Sequence, residues 1–197
     1  MVGQIVQAVS YVSYQQGDSL YVYGDGKTPV SEKVRNEIRF SSWIRNITVY
    51  DAVFTESPVR FEYGESLLLD GCKIKNISIS ANNAFRCNGI SKVKIRKCYF
   101  DSLKAGDYTI NFEDISNLTM KNVMMHNIVG TSSNSYTWCL GAISRGTLKN
   151  VTAKQMKGSY WFYNGSGSRI TAGNCFYSEC SGTTNGLRPG FKYKEDL

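Results

Sequence analysis

The chain has 197 residues and a formal net charge of +7, with 23 Lys and Arg against 16 Asp and Glu, six cysteines and one histidine. This length suits one domain, and no apolar run is long enough to span a membrane, so we expect no membrane partner. The single histidine and the lack of closely spaced cysteine pairs exclude the usual zinc motifs, and we predict neither a metal nor another cofactor.

Residues 1–43 show no repeated pattern. Short apolar segments at 20–23 and 38–40 are the strand candidates in this part of the chain. We predict an irregular N-terminal cap or a worn first coil here, because a repeating fold needs an atypical end that shields its core from water.

From residue 47 onward the chain repeats one degenerate eight-residue phrase six times. The phrase reads ITVYDAVF at 47–54, LLLDGCKI at 67–74, VKIRKCYF at 93–100, LTMKNVMM at 118–125, GTLKNVTA at 146–153 and ITAGNCFY at 170–177. Its starts lie 20 to 28 residues apart, which is typical of a solenoid in which each repeat forms one coil.

Apolar and polar residues alternate within each phrase, and the alternation slips once. Positions one and three are mostly apolar, as in a strand with one buried face, but after position five the apolar residues fall on positions six and eight. This slip predicts a sharp bend between two short strands. Asn122, Asn150 and Asn174 occupy the bend in the last three phrases. Because Asn tolerates left-handed backbone geometry and can bond to an amide in the next coil, we predict an asparagine ladder.

Another short strand precedes the phrase in each coil. The candidates are residues 59–63, 85–88, 110–113, 138–140 and 160–163. Three strands per coil predict an all-β parallel β-helix of about six to seven coils over residues 44–182, followed by a C-terminal tail at 183–197. No window carries apolar residues at helical spacing for long enough to favour a β/α solenoid.

The bent phrase with Asn at its corner resembles the right-handed parallel β-helix of the pectin-lyase-like family, which includes pectate lyases, polygalacturonases and bacteriophage tailspikes. The resemblance covers about residues 44–182 and implies a right-handed coil. Similarity to tailspikes or tail fibres implies a homotrimer in the virion, folded in the host cytoplasm, that recognises a polysaccharide on the bacterial surface.

The cysteines bear on the compartment in which the chain folds. Cys72, Cys98 and Cys175 fall on the inward sixth position of their phrases, whereas Cys139 is expected to face outward and to be the most reactive thiol. Unpaired buried thiols favour folding in a reducing cytosol, and the amino terminus lacks the pattern of a secretory signal. Both features agree with a tailspike, which acts outside the cell only after lysis. An extracellular protein is the alternative.

In the resembling enzymes the usual site is the outer face of the strand that precedes each phrase. Carried onto this chain, that face presents Arg60, Glu62, Arg86, Asn88, Asn111 and Glu113. Glu62 and Glu113 are the candidate catalytic acid and base, because two coils separate them by about 9 to 10 Å. Inverting glycosidases hold their carboxyl groups about 6.5 to 9.5 Å apart. The other four residues are candidate substrate-binding residues, and the two arginines suit an anionic substituent.

A surface ion-pair ladder of small energetic effect is the alternative interpretation of this face. The sequence has no Gly-His-Gly, no Asp-Asp pair and no Asn-Thr-Asp of the polygalacturonase kind, and no Asp cluster suited to the calcium of pectate lyases. Catalysis therefore stays open, and a polysaccharide depolymerase of the glycosidase type is the activity to expect if there is one.

Aromatic residues form a second candidate surface, beside the longest insertion at 129–136. Alternation directs Trp161 and Tyr163 outward, and we predict that both bind substrate, since outward rings beside a polar loop can hold the face of a sugar. Contact with another subunit explains the same pattern equally well.

A basic stripe runs along the outward fourth position of the phrase, with Arg96, Lys121 and Lys149 on consecutive coils and Lys94 nearby. Like charges one coil apart repel unless an anion lies across them. The stripe is either a solvated surface or a binding site for a polyanion. As the polyanion, we favour an acidic polysaccharide over a nucleic acid.

His126 is the one candidate imidazole. We predict that it faces outward between Asp101 of one coil and Lys154 of the other, as a bystander rather than a catalytic base.

Three hypotheses follow for the function. The first is a phage tailspike or tail-fibre module that binds a bacterial glycan without cleaving it, and the second is a depolymerase that uses Glu62 and Glu113. The third is a bacterial β-helix enzyme unrelated to phage. A purely structural role in a fibre is a further alternative.

Overall fold

The computed structural model describes residues 11–80 and 82–195. It confirms the predicted parallel β-solenoid, which has about seven turns, with 67% of the described residues in strands and 3% in helix. The elements are β1 Val12–Gln16, β2 Ser19–Tyr23, α1 Glu32–Glu37, β3 Asn46–Tyr50, β4 Val53–Thr55, β5 Val59–Asp70, β6 Lys73–Ser78, β7 Phe85–Arg96, β8 Tyr99–Ala105, β9 Tyr108–Gly130, β10 Tyr136–Asn164, β11 Ile170–Gly173, β12 Cys175–Ser178, β13 Ser181–Asn185 and β14 Phe191–Tyr193.

The six phrases stack in the predicted register. Their first residues form one continuous column of parallel pairs, in the order Ile47, Leu67, Val93, Leu118, Gly146 and Ile170. All six side-chain positions are buried, including the apparent exception Gly146. A Cβ at Gly146 would lie 2.3 Å from the Cδ1 atom of Ile170, so the isoleucine above fills the space that the glycine leaves.

Left-handed residues form the corners of the coils. The fifth residue of every phrase has a positive φ, from 48° at Asp51 to 69° at Gly71. The asparagine ladder is confirmed, because the amide of Asn150 donates to Asn122 and that of Asn174 donates to Asn150, both at 2.8 Å. Further left-handed residues follow at two other points of the coil, so β9 and β10 pass around corners without losing their pairing.

The amino-terminal end of the solenoid is covered by the first described residues. β1 pairs antiparallel with β2, and β2 pairs in parallel with β3, so residues 19–23 form the first parallel rung. Val30 and Ile38 flank α1 and are buried in the core. The ring of Phe40 occupies the space beside Gly64, where a Cβ would meet it at 2.3 Å. This arrangement keeps water from the core side chains at the amino-terminal end of the solenoid.

Pairing continues to the carboxyl-terminal end. β13 pairs in parallel with β10, and β14 pairs in parallel with β12, beyond the predicted boundary at residue 182. Residues 1–10 of the predicted cap and residues 196–197 of the predicted tail lie outside the described residues.

Candidate functional site

The outer face of the strands that precede the phrases is named here the ion-pair face. Its residues form two columns on β5, β7, β9 and β10. The first column pairs Arg60, Arg86, Asn111 and Cys139 in succession, and the second pairs Glu62, Asn88, Glu113 and Gly141. The structure therefore brings six of the eight predicted site residues onto one surface.

Arg86 bridges the two predicted catalytic carboxylates. Its Nη1 atom lies 3.2 Å from Oε1 of Glu62, and its Nη2 atom lies 3.3 Å from Oε2 of Glu113. The Asn111 amide donates to the same Glu113 oxygen at 3.4 Å. An inverting glycosidase leaves the space between its two carboxyl groups to a water. Here a guanidinium contacts both carboxylates, which is the geometry of an ion-pair network. The catalytic role of Glu62 and Glu113 stays a prediction.

Asn88 and Asn111 present little of their side chains to a ligand. They are 5% and 4% exposed. In its column, Asn88 lies between the longer side chains of two glutamates, and Asn111 lies between Arg86 and Cys139. The Oδ1 atoms of both asparagines are buried and have no hydrogen-bond partner within the described residues. Of the predicted binding residues on this face, Arg60 is the exposed one.

The predicted outward orientation of Trp161 is wrong. Its ring is 3% exposed and packs 5.2 Å from the ring of Tyr177. The alternation fails here because the pairing of β10 with β13 shifts register between Tyr160 and Phe162, which turns Trp161 toward the core.

Tyr163 is half-buried, and its ring packs edge-on against Tyr136 at 4.8 Å. Tyr136 itself lies in a stack between Tyr108 and Tyr160, at 5.0 and 5.1 Å. Tyr136 is thus stacked on both faces by neighbouring tyrosines, which leaves neither of its faces open to a sugar ring.

The outward residues of the phrases, with the residue before each phrase, form a second surface, which we name the basic face. From residue 92 upward it has three columns. They are Lys92, Asn117, Arg145 and Arg169; Lys94, Thr119, Thr147 and Thr171; and Arg96, Lys121, Lys149 and Gly173. The side chains in these columns from residue 92 upward are exposed, and these columns contain no carboxylate.

Few of these cations have an anionic partner. Arg96 pairs with Asp70 of the coil below at 2.8 Å. Within residues 11–80 and 82–195, no carboxylate lies within ion-pair distance of Lys121, Lys149 or Arg145. Consecutive rungs are about 4.8 Å apart, so the cations of one column repel one another across that spacing.

The sequence prediction found only part of the basic face. Lys94, Arg96, Lys121 and Lys149 belong to the predicted stripe, and the structure adds a column that begins with Lys92. Its members stand directly before the first apolar residue of each phrase. That position continues the outward alternation by one residue, and this signal could have found them.

His126 lies where the sequence predicted. Its Nδ1 atom is 2.8 Å from Oδ1 of Asp101. In the next coil, Lys154 is the strand-pairing neighbour of His126. Lys154 also forms an ion pair with Glu179 at 3.3 Å. Hydrogen bonds from Gln155 and Lys154 lower the pKa of the Glu179 carboxyl. These contacts make a mixed-charge surface ladder around the histidine.

All six cysteines are free thiols. Cys72, Cys98 and Cys175 are buried, as predicted. The expectation that Cys139 faces solvent is wrong: it lies on an outer column but is only 4% exposed. Burial, with a smaller contribution from the Glu113 carboxylate, raises the pKa of the Cys139 thiol to about 12, so little thiolate forms at neutral pH. Cys180 is the one cysteine that is only partly buried.

The described residues contain no helix with the length and apolarity needed to cross a bilayer. They also contain no group of three or more His, Cys, Asp or Glu side chains placed to hold a metal ion. Comparison of the chain with known protein families, with curated proteins and with solved structures finds no match. The parallel β-solenoid is therefore what the structure establishes, and the two outer faces are the basis for a functional assignment.

Proposed function

We propose that this β-solenoid binds an extended acidic polysaccharide along the basic face and does not cleave it. The observation that carries the proposal is the repetition of exposed, largely unpaired cations on successive rungs between residues 92 and 171. A ligand whose negative charges recur along its length would relieve repulsion on several rungs at once.

A glycan suits this face better than a single-stranded nucleic acid does. Proteins that bind single strands without sequence preference combine cations with aromatic rings on which the bases stack. The outward residues of the basic face from 92 upward include no aromatic side chain, but they include Asn117 and a column of three threonines. Amide and hydroxyl groups can donate to and accept from sugar hydroxyls.

The contacts of Arg86 support a role without catalysis. The guanidinium that contacts Glu62 and Glu113 occupies the space where a hydrolytic water would stand. The ion-pair face is thus better suited to holding neighbouring coils together than to acid and base chemistry.

Similarity of the repeated phrase to that of tailspikes and tail fibres supports a finer proposal. The polysaccharide is one on a bacterial surface, and the protein is a homotrimeric part of a phage virion that folds in the host cytoplasm. Buried free thiols agree with folding in a reducing compartment. Mass measurement in solution tests the trimer, and a monomer would contradict it.

The binding proposal is tested by titrating the protein with three polymers at low salt. They are a polyuronate, a neutral glucan of similar length and a DNA duplex. We expect saturable binding of the polyuronate and none of the glucan. Equal affinity for the glucan would refute a charge-based site, and tighter binding of the duplex would assign the face to nucleic acid instead.

A further inference from the structure

The upper end of the basic face contains a cleft of about 480 Å³ with an unusual lining. Three arginines line it, together with two threonines, a glycine and an isoleucine: Arg145, Arg169, Arg188, Thr147, Thr171, Gly146 and Ile170. No carboxylate is among them. The cleft therefore gathers three permanent positive charges, since the arginine side chain is always protonated in proteins.

Backbone pairing sets the positions of the first two arginines. The amide of Gly146 donates to the carbonyl of Arg169 at 2.8 Å, and Gly146 pairs with Ile170. Arg145 and Arg169 therefore leave neighbouring rungs, about 4.8 Å apart, on the same outer face. Both side chains are exposed, so their guanidinium groups are available to a ligand.

The third arginine is fixed from a different part of the chain. Nη2 of Arg188 donates to the carbonyl of Ser168 at 3.1 Å, directly beside Arg169. Ser168 is itself held in place, because its hydroxyl accepts from the Ile143 amide at 2.9 Å and it is 6% exposed. The Nε atom of Arg188 is buried and has no hydrogen-bond partner within the described residues.

This cluster differs from two other arginines of the outer faces. Arg86 and Arg96 each contact at least one carboxylate. Within residues 11–80 and 82–195, no carboxylate lies within ion-pair distance of the three cleft arginines. Their mutual repulsion is offset if an anion occupies the cleft.

The number of donors indicates the kind of anion. One guanidinium fork satisfies the two oxygens of a carboxylate. Three guanidinium groups around one cleft match an anion with more oxygens, and a phosphate monoester offers three strong acceptor oxygens and a charge of about −1.5 to −2 at neutral pH. The hydroxyl of Thr147 is exposed at the same cleft and can donate to a further oxygen.

We infer that the cleft of Arg145, Arg169 and Arg188 binds a tetrahedral oxyanion substituent, a phosphate or sulfate ester, carried by a larger molecule. The cleft is open and exceeds the size of a single oxyanion, so it admits the group to which the ester is attached. As a subsite for the polysaccharide it rests on the proposed function, but its anion binding is measurable without any polymer.

The experiment is calorimetric titration of the whole protein with glucose 6-phosphate, a monosaccharide sulfate and glucuronate. We expect both esters to bind and glucuronate to bind at least about tenfold more weakly, which corresponds to about 1.4 kcal/mol. Affinity for the phosphate should rise between about pH 5.5 and pH 7.5 as its second proton leaves, while affinity for the sulfate stays constant. Equal affinity for glucuronate would overturn the inference.

Variants locate the site. Arg145→Gln and Arg169→Gln should each weaken ester binding at least about tenfold. Lys104→Gln and Lys157→Gln each remove one positive charge from an exposed lysine that lies outside both the ion-pair face and the basic face; neither should change ester binding. Equal losses of ester binding in all four variants would show that the esters respond to net charge and would overturn the inferred site. Ester binding without polyuronate binding would refute the proposed function alone, and the reverse result would refute only this inference.

Discussion

The ion-pair face and the basic face are built on the same rungs with the same spacing, yet they treat charge in opposite ways. On the ion-pair face, one arginine lies between two glutamates and contacts both. On the basic face, lysines and arginines follow one another from coil to coil, and Arg96 with Asp70 is the ion pair found there among the described residues. Internal neutralisation indicates a structural role, whereas unpaired charge leaves a surface that attracts anions.

The comparison of the two faces depends first on the alternation of buried and exposed residues along each strand. Val123 is 1% exposed, and Val123→Asp would bury a carboxylate among apolar neighbours. We expect this change to lower the free energy of unfolding by about 3 kcal/mol or more. Lys121→Asp, two residues away on the basic face, should change it by no more than about 0.5 kcal/mol. Urea unfolding of the two variants measures the difference, and similar losses in both would show that the assigned faces are wrong.

The second prediction separates the basic face from charge in general. The double variant Lys121→Glu with Lys149→Glu should weaken polyuronate binding at least about tenfold, because two cations that face the ligand become repulsive. Lys104→Glu with Lys157→Glu is the matched control, since these two exposed lysines lie in one column of a different face and the net charge changes equally. Equal weakening in both double variants would mean that net charge, and not this face, attracts the polymer.

The third prediction concerns the opposite side of the comparison. Arg86→Gln leaves Glu62 and Glu113 without their shared cation, and we expect a loss of about 1 kcal/mol in the free energy of unfolding because the network is partly exposed. Adding Glu62→Gln and Glu113→Gln to the same chain should restore most of the loss. No loss in Arg86→Gln would show that the bridge has no structural effect.

The fourth prediction has the smallest expected effect. Glu113→Gln keeps the shape of the side chain but cannot exchange a proton, so it should leave polyuronate binding unchanged. Release of reducing sugar ends from the polysaccharide is measured in parallel. Cleavage by the natural protein that disappears in this variant would establish a depolymerase and contradict the proposal of binding alone.

The fold could be predicted from the sequence because the repeat is local and periodic. The bend at Asn122 and its successors follows from a slip in alternation that eight residues are enough to show. Gly146 interrupts the apolar pattern, but the core stays filled because the Ile170 side chain of the next coil occupies the space. Each coil thus repeats the same local pattern, so the alternation within one phrase also predicts how the coils stack.

The candidate sites were less predictable because they depend on contacts between coils. The bridging position of Arg86 follows from side-chain geometry that spacing alone does not give. Trp161 faces the core because the strand pairing shifts register beside it, and the residue pattern gives no sign of that shift. Arg188 reaches the basic face from a loop outside the repeat, by donating to the Ser168 carbonyl. Irregular segments of this kind carry no period from which a position can be inferred.

The most direct test of the central claim is the salt dependence of polyuronate binding by the natural protein. Exposed charges are screened over about 8 Å at physiological ionic strength and about 3 Å at 1 M. If the basic face binds the polymer, its affinity should fall steeply between about 0.05 M and 0.5 M salt, as for other polyanions held by lysine and arginine. An affinity that does not change over this range would contradict the account and leave a structural role for the solenoid.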